Sequence, residues 1–216
     1  MKSVLVIGLG RFGRHIAIKF DQLRHEVLAV DISEDRVSEA LRYIPNAQIG
    51  DCTRIDVLEE LGVRNFDICV VAIGANLSAS LEITYLLKDL GAPYIISRVS
   101  HDRHGKFLQS MGANEIVYPE KQMANRIAIR HAIRNAYDYI ELNREYSITE
   151  MPVPERWVGD TIEHCELRAK YHINILATKS GDTIIPSAEP SHIFKADEHI
   201  LVFGKKEDLF AFSEKV

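Results

Sequence analysis

The sequence predicts an α/β fold: a Rossmann-like, doubly wound parallel sheet of six strands, followed by a small α+β domain. Three observations lead there. Short apolar runs alternate with amphipathic helical patterns over residues 1–118. Gly8, Gly10 and Gly13 stand where the first apolar run gives way to the first helical one. After Pro119 the rhythm changes.

In chain order, Val4–Gly8 is a buried-strand pattern, and Arg11–Leu23 is helical, with Phe12, Ile16 and Phe20 on one face. Val27–Val30 is strand-like and ends at Asp31, after which Ser33 is placed to cap a helix running to about Tyr43. Ala47–Gly50, Ile68–Ile73, Tyr94–Ser97 and Glu115–Val117 supply four more strands. The helical patterns near Ile55–Leu61, Ser78–Leu90 and Asp102–Met111 close on Gly62, Gly91 and Gly112. Pro119-Glu120 opens a long helix to about Tyr139, with Ile129, Ile133, Ala136 and Ile140 on one face. Arg126, Arg130 and Arg134 form a ladder on another face, either a solvated stripe or a contact for an acidic partner. No Gly/Ser linker intervenes, so residues 119–140 are read as joining a domain at 1–118 to one at 141–216. In that last domain Tyr146–Val153, Ile173–Thr178, Thr183–Ile185 and His199–Gly204 read as strands. Thr161–Leu167 and Lys206–Lys215 read as helices, and Trp157 as core or interface.

The totals exclude several classes. The 216 residues are 46% hydrophobic and 26% charged, with net charge -5, so the basic excess of a nucleic-acid surface is missing. No apolar run approaches the ~18 residues of a membrane span, so direct membrane insertion is not expected. Met1-Lys2 leads straight into a strand pattern with no signal-peptide features, and a cytoplasmic protein is expected. Cys52, Cys69 and Cys165 are scattered singly, which suggests neither a disulfide framework nor a zinc site.

The glycine run is the first motif with chemistry. In a strand–turn–helix unit Gly8 permits the tight turn, Gly10 lets a pyrophosphate approach the backbone, and Gly13 lets the helix pack on its strand. The helix N-terminus then offers N–H groups and a positive dipole end to phosphate. Asp31, at the end of the second strand, suits a ribose diol and repels a 2′-phosphate, which disfavours NADP. Three more loops fall at strand C-terminal ends: 50–53, the loop Ala72-Ile73-Gly74-Ala75-Asn76, and Ser97-Arg98. Asp51 either reaches the base or ribose or caps the following helix, and Cys52 reads as a small lining residue. Arg11 and Arg14 either neutralise phosphate or are solvated. Arg98 reads as a ligand contact.

No catalytic set accompanies this cleft. There is no P-loop lysine, no G-x-S-x-G elbow, no metal-ligand spacing and no acid/base pair to serve a nicotinamide. His101 and His104 read as surface residues. A binding protein, not an enzyme, is expected, with a small NAD-dependent oxidoreductase as the remote alternative.

Longer stretches carry a resemblance. "VIGLGRFG", "VLAVDISEDRV", "IGDCT", "VAIGANLSAS", "MGANEIVYPEKQMANRIA" and "LRAKYHINIL" resemble RCK (regulator of K+ conductance) proteins over essentially the whole chain. The likeness is greatest to the regulatory subunits of Ktr-type potassium-uptake systems, cousins of the Trk type. It implies homodimers assembled into a homo-octameric gating ring under an integral-membrane potassium channel, at the inner face of the plasma membrane. It implies ATP and ADP in the N-terminal cleft, or NAD(H) as in Trk-type subunits. Gly8, Gly10 and Gly13 would then hold phosphates, and Asp31, with Ile32 beside it, the ribose. Asp51, Cys52, Ile73 and Gly74, within the 72–76 loop, would take the adenosine side. In the Arg11-Phe12 insert, Arg11 would reach a neighbouring subunit's nucleotide. Arg98 matches a basic residue of the family, and Glu120 a carboxylate that holds a divalent or monovalent cation beside the terminal phosphates. The C-terminal domain resembles one that binds cyclic di-AMP in several relatives, with Arg168, Ala169, Asn174, Ile175, Ile185 and Pro186 at matching positions. There Glu163 replaces a usual apolar residue and His172 a usual glycine.

Overall fold

The computed structural model, which describes residues 1–186 and 189–215, gathers the first six strands into one parallel sheet. They are β1 (Ser3–Ile7), β2 (Glu26–Asp31), β3 (Ala47–Ile49), β4 (Ile68–Val71), β5 (Ile95–Arg98) and β6 (Glu115–Val117). Their order is β3-β2-β1-β4-β5-β6, the doubly wound arrangement. Helices α1 (Arg11–Gln22), α2 (Glu34–Ala40), α3 (Ile55–Leu61), α4 (Leu77–Asp89) and α5 (Asp102–Ser110) make the crossovers.

Strand alternation explains why both faces need helices. Leu5 and Ile7 join a core with Leu58, Ile83, Leu87 and Leu108 from α3, α4 and α5. Val4 and Val6 point the other way, to Ala17 of α1 and Val37 and Ala40 of α2. A strand buried on both sides reads as the continuous apolar run that the sequence has at its start.

The chain divides into two compact units, Met1–Lys121 and Gln122–Val216. Helix α6 (Pro119–Ala132) passes from one to the other. It ends well short of Tyr139, where the sequence reading had carried it. Asn135 adopts φ 61°, the left-handed conformation that terminates helices, and β7 (Asp138–Glu141) follows. Ile140 therefore lies exposed on a strand and not on the helix face, while Ile133 is buried in the second core.

The second sheet is antiparallel, with order β10-β9-β11-β8-β7. Its other strands are β8 (Tyr146–Pro152), β9 (Asn174–Ser180), β10 (Thr183–Pro186) and β11 (Glu198–Lys205). The single helix expected over Thr161–Leu167 is two short ones, α7 (Ile162–Cys165) and α8 (Leu167–Tyr171), because Glu166 turns left-handed at φ 48°. His172 ends α8 at φ 57°, a conformation a glycine takes without strain. Trp157 is buried, with ring centres 5.4 Å from Phe212 of α9 (Lys206–Lys215) and 5.9 Å from Phe194. It is a core residue, as expected.

Candidate functional site

The strand order reverses between β1 and β4, and their carboxyl ends part to leave a crevice, where open α/β sheets bind ligands. The Gly8 N–H donates to the Val30 carbonyl at 2.8 Å, and the Ala72 N–H to the Ile7 carbonyl at 2.8 Å, so the loops leaving both strands are fixed to the sheet.

The three glycines do different things. Gly8 has φ 94°, and a Cβ there would stand 3.0 Å from Ile73 Cγ1. A Cβ on Gly13 would collide with the Gly8 carbonyl oxygen and lie 2.9 Å from the Ala72 Cβ. Both are required by the fold itself. Gly10 caps α1 with φ -61° and ψ -177°, backbone open to any residue, and a Cβ there would meet nothing within 4 Å. Among the described residues no contact requires a glycine at this position.

Above the turn lies a cavity of about 480 Å³. Of the residues singled out in the sequence, Gly8, Gly10, Asp31, Ile32, Asp51, Cys52, Ala72, Ile73, Gly74, Ala75, Asn76 and Arg98 line it. Gly13 is buried behind the turn, and Phe12 is half-buried, its ring centre 5.9 Å from the Arg98 guanidinium carbon. Arg11 is exposed at the first position of α1, outside its own chain's cavity wall. Arg14 turns to α2 and pairs with Glu39, so it is engaged away from the glycine turn.

Asp31 is 4% exposed, and its carboxylate organises the cleft. Oδ2 accepts from the Leu9 N–H at 2.6 Å inside the glycine turn, and Oδ1 accepts from the Ser33 N–H at 2.9 Å. Arg36 Nη1 stands 3.4 Å from Oδ2. Asp51 does not cap α3: its Oδ1 accepts from the Thr53 N–H at 3.1 Å and the Thr53 hydroxyl at 2.7 Å, closing a local turn. Burial, reinforced by the charges of Asp51 and Asp31, pushes the Cys52 thiol up to about 12, so it lines the wall as an unreactive protonated group. Ser97 faces away from the cleft, with its hydroxyl 3.0 Å from that of Thr84.

Arg98 also reaches Glu120, the second residue of α6, in a close ion pair. The Glu120 carboxyl is held below the usual carboxylate range, first by its own backbone N–H, then by Arg98 and the charge of Arg11. Arg11, Arg98 and Glu120 thus form one charged group at the head of α6. Among the described residues no group of three or more His, Cys, Asp and Glu is placed to hold a metal ion.

Sequence reasoning missed Arg36, which also lines the cavity, as does Thr53 of the 50–53 loop. Arg36 could have been found: it lies in the first turn of α2, five residues after Asp31, within reach of the strand end. In the second unit, Arg168 and Ala169 are exposed on α8, and Asn174 and Ile175 begin β9. Ile185 and Pro186 on β10 pair with Thr178 and Ala177.

Comparison with known proteins agrees with this architecture. The TrkA-N domain model matches residues 4–119 and the TrkA-C domain model residues 148–216. The chain is 41% identical over 215 residues to Ktr system potassium uptake protein C of Bacillus subtilis (strain 168), covering 100% of this chain and 97% of that protein. It is 39% identical over 214 residues to Ktr system potassium uptake protein A of the same organism, covering 99% and 96%. Among solved structures, a GsuK channel bound to NAD superposes with TM-score 0.67 at 18% identity, covering 96% of this chain and 38% of that one. At that identity the likeness is one of fold. No described helix is long and apolar enough to cross a membrane. Identity at this level, running through both domains in order, makes the chain a member of the RCK family, among the potassium-transport regulatory subunits of the Ktr type.

Proposed function

We propose that the chain is the cytosolic, ligand-gated regulatory subunit of a Ktr-type potassium-uptake system, and that ATP and ADP in the N-terminal cleft set its conformation. The observation that carries the nucleotide reading is Gly10. Its backbone conformation is open to any residue and its Cβ position is empty, so the residue is explained by a ligand that needs the backbone bare. A pyrophosphate over the start of α1 is such a ligand. Asp31 and Asp51 then address the ribose and base, and Cys52, Ile73 and Gly74 the adenosine.

Arg11, exposed beside Glu120, suits contact with the terminal phosphate of a nucleotide in a second copy of the chain. In a homodimer two such phosphate groups would approach each other, and a cation held by Glu120 would relieve their repulsion. Homodimers closing into an octameric ring under the membrane channel would pass the change on. The nucleotides act as switches only through different affinities for the ring's two shapes. Cyclic di-AMP against Arg168, Ala169, Asn174, Ile175, Ile185 and Pro186 would be a second input.

NAD(H) is the second reading, supported by the NAD-bound GsuK channel of like fold and by Asp31, which serves either ribose. Thermal-shift titrations with ATP, ADP and NADH, followed by competition between NADH and ATP, test both. ATP and ADP are expected to stabilise the protein and NADH to compete weakly; the absence of any shift with all three would remove the nucleotide reading. Arg11→Ala is expected to weaken ATP by about tenfold and leave ADP within about twofold. Equal losses for both nucleotides would contradict the contact with a neighbouring phosphate.

A further inference from the structure

A second, smaller cavity of about 120 Å³ adjoins the cleft, between the loop after β4 and the start of α5. It shares Ile73, Gly74, Ala75 and Arg98 with the cleft, and its wall also includes Ser80, His101 and His104. Two of its polar groups lack a hydrogen-bond partner among the described residues. Ser80 is 2% exposed, and its hydroxyl has no hydrogen-bond partner. Arg98 Nε is likewise buried and unpartnered, although the other end of the guanidinium holds Glu120. His101 stands at the N-cap of the nine-residue helix α5 without a side-chain cap bond; the His104 N–H donates to the His101 carbonyl at 3.0 Å, and among the described residues no side chain caps the helix's first two N–H groups. The His101 and His104 rings meet edge to face with centres 5.1 Å apart.

The carboxylates nearby are already engaged. Glu120 is bound by Arg98, and Asp102 accepts from Lys121 Nζ at 2.8 and 2.9 Å. The Ser100 hydroxyl donates to the Gly74 carbonyl at 3.2 Å. A buried hydroxyl and a buried guanidinium N–H with nothing to bond to are costly unless an acceptor enters. Two histidines without a third ligand do not make a metal centre among the described residues.

We propose that this cavity is an oxyanion site that takes a phosphate group, held by Ser80, Arg98, the two imidazoles and the α5 N-terminus. Its volume is about a quarter of the cleft's, room for a small oxyanion such as phosphate. The phosphate is either free in solution or the terminal group of a nucleotide in the adjoining cleft. Only the second source rests on the nucleotide reading.

Calorimetric titration of the full chain with inorganic phosphate, without nucleotide, tests the site. Saturable binding at one phosphate per chain is expected. Ser80→Ala and His104→Gln should each weaken it about tenfold; since neither residue lines the cleft, ADP affinity stays within about twofold if the site takes free phosphate, and falls in step if it takes the nucleotide's terminal phosphate. Repeating the phosphate titration on ADP-saturated protein separates the sources. Unchanged phosphate affinity assigns the site to free phosphate. Competition by ADP, with none by adenosine, assigns it to the nucleotide's terminal phosphate. Lack of saturable phosphate binding, or binding untouched by both substitutions, overturns the proposal. ADP binding measured on the same samples reports separately on the nucleotide reading.

Discussion

At the scale of single residues, the glycine turn separates what the fold needs from what a ligand needs. Gly13→Ala drives a methyl group into the Gly8 carbonyl, backbone against backbone, with no flexible side chain to give way. We expect it to cost about 2–4 kcal/mol in urea unfolding, as overpacking of a rigid contact does. Gly10→Ala places the same methyl group in open space. We expect stability within about 0.5 kcal/mol of the parent, and ADP affinity at least about tenfold lower because the pyrophosphate loses its approach. A Gly10→Ala protein that binds ADP normally would show that phosphate does not sit over this turn. Asp31 belongs to the fold as well as to the cleft wall: its buried carboxylate holds the Leu9 and Ser33 amides, which fixes the glycine turn against the loop after β2.

At the scale of elements, the second sheet owes part of its register to a polar cluster. Glu150 on β8 accepts from Lys179 of β9 at 2.9 Å and bonds His199 of β11 at 2.8 Å, across the central strands. Burial raises the Glu150 carboxyl, but the bonds from His199 and Lys179 outweigh it and leave it below the ordinary value. A depressed carboxyl adds stability above its unfolded value and loses that stability as pH falls through the folded one. Glu150→Gln is therefore expected to cost about 1–2 kcal/mol at neutral pH, the gap from the parent closing below about pH 4. Thermal unfolding of both proteins across that range measures it; a gap independent of pH would assign the loss to packing. The other element that matters is α6, whose first turn carries Glu120 and whose later turns belong to the second unit.

At the scale of the whole molecule, a ligand that binds only the folded cleft stabilises the protein by mass action. ADP at a hundred times its Kd is expected to add about 2.7 kcal/mol. Cys52 offers a local reading of the same event. It lines the cleft, is 3% exposed, and has its thiol held protonated, so labelling under native conditions requires the cleft to open. Saturating ADP should slow the labelling of Cys52 by about the factor by which it stabilises the closed form. Cys69 and Cys165 lie outside the cleft wall and serve as internal references in peptide mapping. Labelling of Cys52 unchanged by ADP would place the nucleotide elsewhere.

By itself the sequence determined the first sheet, because its strands are buried on both faces and its helices amphipathic, so each element writes its own period into the chain. It also determined most of the cleft, since in a parallel sheet every strand end faces the same way and residues distant in sequence must converge there. Gly13 belongs to that motif yet packs behind the turn, and Phe12 lies against Arg98 outside the cavity wall, distinctions of packing that spacing does not carry. The end of α6 escaped because Ile140 continued a helical spacing by chance, while the left-handed Asn135 that stops the helix has no periodic signature. His101 is exposed, as its sequence reading had it, and His104 half-buried; that both wall the second cavity is marked by nothing local. Only the fold brings Ser80, Arg98 and the start of α5 to one cavity, from three segments that share no motif. Periodicity is local and is written in the chain, whereas the pairing of Arg98 with Glu120, and the want of a partner for Ser80, are properties of the space between segments that tertiary structure alone creates.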